Sequence, residues 1–356
     1  MGRSLCVYGG TGSYKTSQLK WFSRYIAKKT GKCTLLLSTD GGGWQACERE
    51  ISAGMIRPYR CEANVLPLVL LRKISQGYWP ENPDEIDPSR INLLPIDWGD
   101  VGAIAVEGWT SIANVVMRYL PDKGISVGGE DRNKPGSNMS FSVPIHIGGQ
   151  VKMESFGSST RGDYGFVQRL LYGLVTNFGS LPCEVAYSAL EAKTEDEDRN
   201  TVYGPAIAGK KATAECGAWV GDLLHAQDYT VARTEKVPDP MDKSKLVEQT
   251  TMDTVVRYYF KKHLDPVTGI PFPAKTRVVP EGIAELNRRF PGGYFEPTTE
   301  WGIDRYLEAC DELSVVAKDD PLRDWRKKMD DKVRGEPRAA AGAAAPAAAA
   351  AAATKQ

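Results

Sequence analysis

The feature that most constrains the fold is a glycine-rich segment between an apolar run and an amphipathic one. Leu5–Tyr8 predicts a short strand, and residues 16–29 carry apolar side chains at helical spacing. Between them lies Gly9-Gly10-Thr11-Gly12-Ser13-Tyr14-Lys15-Thr16. A phosphate-binding loop needs glycines so that backbone N–H groups can surround an anion. It also needs a lysine for the terminal phosphates and a Ser or Thr for Mg²⁺. We therefore predict that residues 9–16 (the P-loop) bind phosphates, with Lys15 neutralising them and Thr16 holding the metal.

One position departs from the pattern G-x-x-x-x-G-K-[ST]. Tyr14 stands where that pattern has its second glycine, and a positive φ there would be costly for a tyrosine. The alternative is a glycine-rich turn between a strand and a helix, with an incidental Lys15-Thr16 pair. We favour phosphate binding because the strand, the loop, the Lys-Thr pair and the helix occur in the required order.

Two carboxylates follow predicted strands. Ala103–Val106 is apolar and leads directly into Glu107, and Cys33–Ser38 is apolar with Asp40 two residues beyond it. A carboxylate at such a strand end can organise Mg²⁺, and a second can polarise the attacking water. We predict that Glu107, through water, holds the metal together with Thr16 and that Asp40 orients the attacking water. The alternative for each is a turn residue, Glu107 beginning a turn and Asp40 capping the glycines that follow it.

The wider pattern predicts an α/β fold. Apolar strands alternate with amphipathic helices over residues 1–235, which indicates a mainly parallel sheet covered by helices on both faces. Two insertions interrupt this core. The first, at about 78–100, is rich in Pro, Asp and Asn. The second, at about 122–160, is rich in Gly, Ser and Asn, with a possible hairpin within Phe141–Phe156.

The carboxyl-terminal third differs in composition. Residues 236–320 are predicted to form a β-rich extension of the core, and 321–356 a charged linker with a disordered tail. From Ala339 to Ala353 every residue is alanine except Gly342 and Pro346. Such a segment has no large side chains to bury.

Composition excludes several classes. Lys plus Arg and Asp plus Glu are both 45, so the net charge gives no sign of a polybasic protein. The seven cysteines include no C-x-x-C pair, which argues against a zinc ribbon or a secreted disulfide framework. No apolar run reaches the roughly 18 residues of a membrane span, and no signal peptide precedes the P-loop. These features predict a soluble protein of the cytoplasm with no membrane partner.

The order of three motifs resembles the RecA-type ATPase core. The P-loop is followed by Leu35-Leu36-Leu37-Ser38-Thr39-Asp40 and then by Ala105-Val106-Glu107-Gly108-Trp109-Thr110-Ser111. More narrowly, the chain resembles bacteriophage ATPases linked to recombination and single-strand annealing, over roughly residues 3–315. The resemblance implies a RecA-like core, with ATP and Mg²⁺ as cofactors and hydrolysis of the γ-phosphate. It also implies a homo-oligomer acting on single-stranded DNA with phage recombination or replication proteins, in the host cytoplasm.

The resemblance also assigns roles near the end of the core. Lys210 and Lys211 match basic residues that reach a neighbouring subunit's nucleotide; the alternative is a solvated surface pair. In the strand that should carry a γ-phosphate sensor, Ser188 and Ala189 replace the expected amide. The acidic run of residues 191–198 predicts an exposed loop, and His225 a buried sheet histidine.

The same sequence features fit two other functions. One is a nucleotide-binding module that does not hydrolyse ATP and serves assembly or regulation. The other is a different motor, such as a helicase loader or a packaging-linked ATPase. Fold alone does not separate these functions.

Overall fold

The computed structural model describes residues 2–39, 43–60, 66–85, 90–114, 139–158, 163–195, 198–207, 210–238, 240–241, 245–278 and 280–314. These residues belong to one compact unit, Met1–Val315. Asp40, part of the second insertion and the tail over 321–356 lie outside the described residues. The division of the chain at residues 235 and 320 stays a prediction.

The strands of the described chain are β1 (Ser4–Gly9), β2 (Cys33–Ser38), β3 (Ile56–Arg60), β4 (Tyr78–Pro80), β5 (Asn92–Pro95), β6 (Val101–Glu107), β7 (Met139–Ile147), β8 (Gln150–Ser158), β9 (Glu184–Glu195), β10 (Thr201–Pro205), β11 (Asp222–Pro238), β12 (Leu246–Tyr259), β13 (His263–Leu264), β14 (Pro271–Phe272) and β15 (Tyr294–Phe295). The helices are α1 (Lys15–Thr30), α2 (Glu48–Ser52), α3 (Leu66–Ile74), α4 (described over residues 109–114), α5 (Asp163–Gly179), α6 (Lys210–Trp219), α7 (Pro280–Arg289) and α8 (Ile303–Ser314). Short 3₁₀ turns cover Gly43–Cys47 and Pro291–Gly293.

The main sheet of the described chain has the order β15-β12-β11-β1-β9-β6-β2-β3, with β10 paired to β9. From β11 to β3 all neighbouring strands are parallel. The strands β10, β12 and β15 add antiparallel pairs. The predicted α/β class, with a mainly parallel sheet flanked by helices, is therefore confirmed. The strands β1, β2 and β6 end along one edge of the sheet, and β9 and β11 cross that edge beside β1 before they continue beyond it. Open α/β sheets bind ligands at such an edge.

Two hydrophobic clusters sandwich this sheet because alternate side chains of each strand point to opposite faces. In β1, Leu5 and Val7 pack with α1, α7 and α8 on one face. Cys6 and Tyr8 pack with α3, α4, α5 and α6 on the other. No helix in the described part of the chain has the length and hydropathy needed to cross a membrane.

The two predicted insertions meet in a second sheet of order β4-β5-β7-β8. The hairpin predicted within Phe141–Phe156 is confirmed, since those two residues face each other in the β7–β8 pair. The contact between the insertions is the short parallel pair of β5 with β7, Asn92 opposite His146. Sequence pattern predicted the hairpin but not this pairing.

The antiparallel pair β11–β12 extends far beyond the sheet. Its pairs continue from His225 opposite Tyr259 to Pro238 opposite Leu246. From Asp228 to Pro238, and from Leu246 to Val255, no described residue is buried. We call this exposed part the β11–β12 ribbon.

Candidate functional site

The P-loop lies where the sequence predicts it, between the end of β1 and the start of α1. Gly9 must be a glycine, because a Cβ there would lie 2.3 Å from the carbonyl oxygen of Ala226 on β11. A Cβ on Gly10 or Gly12 would meet nothing within 4 Å, so the outer side of the loop is open. Gly12 has φ +84°, a conformation that favours glycine. The loop can therefore be approached closely by a ligand.

Lys15 folds back over the loop that precedes it. Its ammonium group donates hydrogen bonds to the carbonyl oxygens of Gly9 (3.0 Å) and Gly10 (2.5 Å) and to Ser13 Oγ (3.1 Å). The Ser13 hydroxyl in turn donates to the Gly10 oxygen at 2.7 Å. The ammonium is thus held over the mouth of the loop, where it can bind the oxygens of a phosphate group.

The loop is also supported by a strand two positions away from β1 in the sheet. Tyr258 on β12 donates its hydroxyl to the carbonyl oxygen of Ser13 at 2.6 Å. Burial raises the pKa of Tyr258, which keeps this donor protonated. A strand near the sheet edge therefore helps to fix the conformation of the P-loop.

Tyr14 adopts the left-handed conformation, with φ 52° and ψ 29°, as the N-cap residue of α1. The backbone strain that the sequence predicts for a tyrosine with positive φ is therefore present in the folded chain. The tyrosine side chain is 64% exposed, so core packing does not account for the choice of residue. At this position the backbone has the conformation that glycine favours, although the residue is a tyrosine.

Replacing Tyr14 by glycine is expected to stabilise the protein by about 1 kcal/mol. The relief of left-handed strain, roughly 1–2 kcal/mol, exceeds the cost of the extra freedom of glycine in the unfolded chain. The urea midpoint of unfolding measures the change, and Tyr14→Phe is the matched control that keeps the strain. A lower midpoint for Tyr14→Gly than for Tyr14→Phe would contradict this account.

The structure brings Glu107 and Thr16 together, while their predicted role as metal ligands stays a prediction. The Thr16 hydroxyl donates to Glu107 Oε1, and Ser38 at the end of β2 donates its hydroxyl to Glu107 Oε2 at 2.5 Å. Glu107 is only 2% exposed, and Ser38 lies opposite it in the β2–β6 register. Ser38 is a site residue that the sequence reasoning missed. Its signal was available, since it is the last residue of a buried strand at the ligand-binding edge.

This donor set suits Mg²⁺ better than a softer metal. In the described residues, no group of three or more His, Cys, Asp and Glu side chains could hold a metal ion by itself. Mg²⁺ usually binds through one or two carboxylates together with water and substrate phosphates. The buried hydroxyl–carboxylate pair of Thr16 and Glu107, beside an open phosphate loop, fits that requirement.

Hydroxyl groups tie the neighbouring strand ends together. Ser188 Oγ accepts the N–H of Gly108 at 3.2 Å, and Thr110 Oγ1 accepts the N–H of Leu190 at 2.9 Å. Thr39 Oγ1 lies 3.3 Å from the carbonyl oxygen of Glu107. Ser188, the residue in place of the expected sensor amide, is therefore engaged with the backbone after Glu107.

For the remaining predicted site residues, the structure describes either the backbone alone or nothing. Lys210 and Lys211 begin α6, but their side chains are not among those described. Asp40 lies outside the described residues, two positions past the end of β2. The roles of all three stay predictions.

The acidic run at residues 191–198 was predicted as an exposed loop, and for residues 191–195 this is wrong. They continue β9, because β10 pairs with them in antiparallel register. Glu191 is consequently fixed beside the P-loop strand, where it contacts His225.

Two histidines near this strand have lowered pKa values. The pKa of His225 is lowered, mainly by burial, and burial lowers the pKa of His263 to about 4. The prediction that His225 is a buried sheet histidine is confirmed.

Comparison with known proteins gives little beyond this geometry. No protein-family model and no curated protein sequence matches the chain. Among solved structures, the fold is similar to a KaiC-like protein from the hyperthermophilic archaeon Pyrococcus horikoshii. The identity is 10% and the TM-score 0.32, over 76% of this chain and 90% of that chain. A TM-score this low assigns no family.

Proposed function

We propose that this protein is a Mg²⁺-dependent ATP-binding protein and ATPase. The observation that carries the proposal is the contact between Thr16, the last residue of the P-loop, and the buried carboxylate of Glu107. Two residues far apart in the chain, each selected from its motif for the same metal, lie side by side at the ligand-binding edge of the sheet. An incidental glycine-rich turn gives no reason for that juxtaposition.

Each residue has a defined part in the proposed reaction. Backbone N–H groups of the P-loop bind the phosphates, and Lys15 neutralises their charge. Thr16 and Glu107 hold Mg²⁺, with Ser38 orienting the carboxylate. When bound, Mg²⁺ would polarise the phosphoryl oxygens and offset the charge that develops on them. The sequence assigns the attacking water to Asp40.

Lys15→Ala is expected to weaken Mg-ATP binding about ten- to a hundredfold. One charge-assisted contact to phosphate is worth on the order of 1.5–3 kcal/mol. Isothermal titration calorimetry measures the dissociation constant directly, without depending on turnover. Lys28→Ala, on the exposed side of the same helix, is the control because Lys28 pairs with Glu308 far from the loop. Equal affinity of wild type and Lys15→Ala would remove the assignment of the P-loop.

The biological role proposed is narrower and rests on the sequence resemblance. We propose action on single-stranded DNA in phage recombination or replication, by a homo-oligomer in the host cytoplasm. ATP hydrolysis measured with and without single-stranded DNA separates this role from a helicase loader or a packaging-linked motor. A rate that does not respond to single-stranded DNA favours those other motors.

A non-hydrolysing module is the second candidate, and one contact favours it. Ser188 occupies the position expected for a phosphate sensor and uses its oxygen to accept the Gly108 N–H. A chain that binds Mg-ATP with high affinity but shows no turnover, with or without DNA, would support this candidate over the ATPase.

A further inference from the structure

A hydrogen-bonded chain of side chains crosses the end of the P-loop strand. Glu191 lies on β9 and His225 on β11, the two strands on either side of β1. His225 Nε2 and Glu191 Oε2 are 2.9 Å apart. Leu190 is paired with Gly9, and His225 with Tyr8. The contact therefore spans β1 at the point where the P-loop begins.

The hydrogen-bonded series continues to His263 on β13. His225 Nδ1 lies 3.1 Å from His263 Nε2, and the latter lies 3.3 Å from Gln227 Oε1. Aromatic rings hold both imidazoles in place. His225 stacks on Phe272 with centroids 3.9 Å apart, and His263 stacks on Tyr259 at 3.6 Å. Glu191 is thus hydrogen-bonded to a pair of imidazoles that are packed between aromatic rings.

The positions of the imidazole protons follow from the hydrogen-bond partners of each ring. An ionised carboxylate can only accept hydrogen bonds, so His225 Nε2 carries the hydrogen that points at Glu191. The neutral ring then accepts at Nδ1, and His263 Nε2–H is the donor. Burial lowers the pKa of His225 and that of His263, which agrees with both imidazole rings being neutral. A neutral donor fixes the carboxylate without cancelling its negative charge.

The two carboxylates at this edge have different surroundings. Glu107 is almost fully buried and accepts a hydroxyl on each oxygen. Glu191 is 32% exposed in its side chain and is held by His225 through Oε2. Lys15 donates a hydrogen bond to the carbonyl oxygen of Gly9, and the β9 partner of Gly9 is Leu190, which directly precedes Glu191. Glu191 is therefore a fixed, partly solvated carboxylate at the point where the P-loop begins.

We infer that Glu191 is a catalytic carboxylate of this site, which accepts the proton of the attacking water, and that His225 is its positioning residue. The inference rests on the proposed ATPase function. Water oxygen forms a bond to the γ-phosphorus while the bond from that phosphorus to the β–γ bridging oxygen breaks. ADP leaves with that electron pair, and the water proton passes to Glu191 and then to solvent. Asp40 is the rival for this role.

Glu191→Gln is expected to lower kcat a hundredfold or more while the dissociation constant of Mg-ATP stays within about twofold. General base catalysis contributes typically 10²–10⁴-fold. Glutamine can still accept the hydrogen bond of His225, so the support is retained. Glu195→Gln, an exposed position on the same strand, is the matched control. Asp40→Asn is measured beside it.

The positioning role of His225 has its own pair of variants. His225→Phe keeps the ring stacking and removes the donor, and we expect kcat to fall about tenfold with KM unchanged. His225→Gln restores a side-chain N–H donor and is expected to recover most of that loss. A merely structural histidine would give equal losses in both variants, or a change in KM.

The outcomes separate the inference from the proposed function. Wild-type turnover with an unaffected Glu191→Gln variant, or with a loss confined to Asp40→Asn, overturns the inference alone. An affinity loss in Glu191→Gln as large as its loss of kcat also overturns it. Wild type that neither binds nor hydrolyses Mg-ATP overturns the function and the inference together.

Discussion

Glu107→Gln is expected to reduce ATP turnover by a hundredfold or more, with nucleotide affinity changed far less. The substitution keeps the shape of the side chain but removes the charge that would hold Mg²⁺ with Thr16. Metal stabilisation of charge in the transition state is worth several kcal/mol, and about 1.4 kcal/mol corresponds to tenfold in rate. Steady-state hydrolysis at saturating Mg-ATP and calorimetric affinities give the two numbers.

Glu107→Asp is the matched variant for this test. It restores a carboxylate one methylene shorter, and partial turnover is expected because the charge remains near Thr16 and Ser38. Unfolding by urea must show that both variants fold, since Glu107 is buried. Hydrolysis at the wild-type rate by Glu107→Gln would show that the metal is not held by this residue.

Changing Lys210 and Lys211 together to alanine is expected to lower the rate by around a thousandfold, the effect of a cation supplied to a phosphoryl transition state from a neighbouring subunit. The two lysines occupy the first positions of α6, whose first turn has no acidic residue. Positive charge is unfavourable at a helix N-terminus. A contact with a negatively charged group outside the helix would offset this unfavourable interaction.

The decisive measurement mixes two inactive variants, Lys15→Ala and the double change at Lys210 and Lys211. In a mixed assembly some interfaces join an intact P-loop to an intact lysine pair, so partial activity should return. The double change of Lys261 and Lys262 to alanine controls for loss of two adjacent exposed lysines. No recovery despite demonstrated co-assembly would place the lysines in their own subunit or outside the reaction. A monomer active at every concentration would exclude a shared site.

The sequence predicted the parts of this site that depend on local pattern. The segment Cys33–Ser38 is β2 to the residue, because a strand buried on both faces reads as a nearly continuous apolar run. The meeting of Thr16 with Glu107 was also predictable, since parallel strands present their carboxyl ends at one edge. Both inferences use only residue type and order.

The contacts around Glu191 could not be predicted in this way. Glu191, His225 and His263 lie more than 30 positions apart in sequence, and their approach depends on the strand order that puts β1 between β9 and β11. An acidic run read by itself indicates a solvated loop, and only the pairing of β10 with β9 makes it a strand. Strand order and the pairing of distant segments cannot be recognised from the residues around any one position.

The β11–β12 ribbon has a mechanical consequence for the P-loop. Its exposed part from Asp228 to Pro238 is roughly 30 Å long at about 3.3 Å per residue. The same continuous strand, β12, carries Tyr258, whose hydroxyl supports Ser13. The exposed ribbon and the support of the phosphate-binding loop are thus two parts of one continuous strand, so a partner that bent the ribbon would act on the strand that holds Ser13.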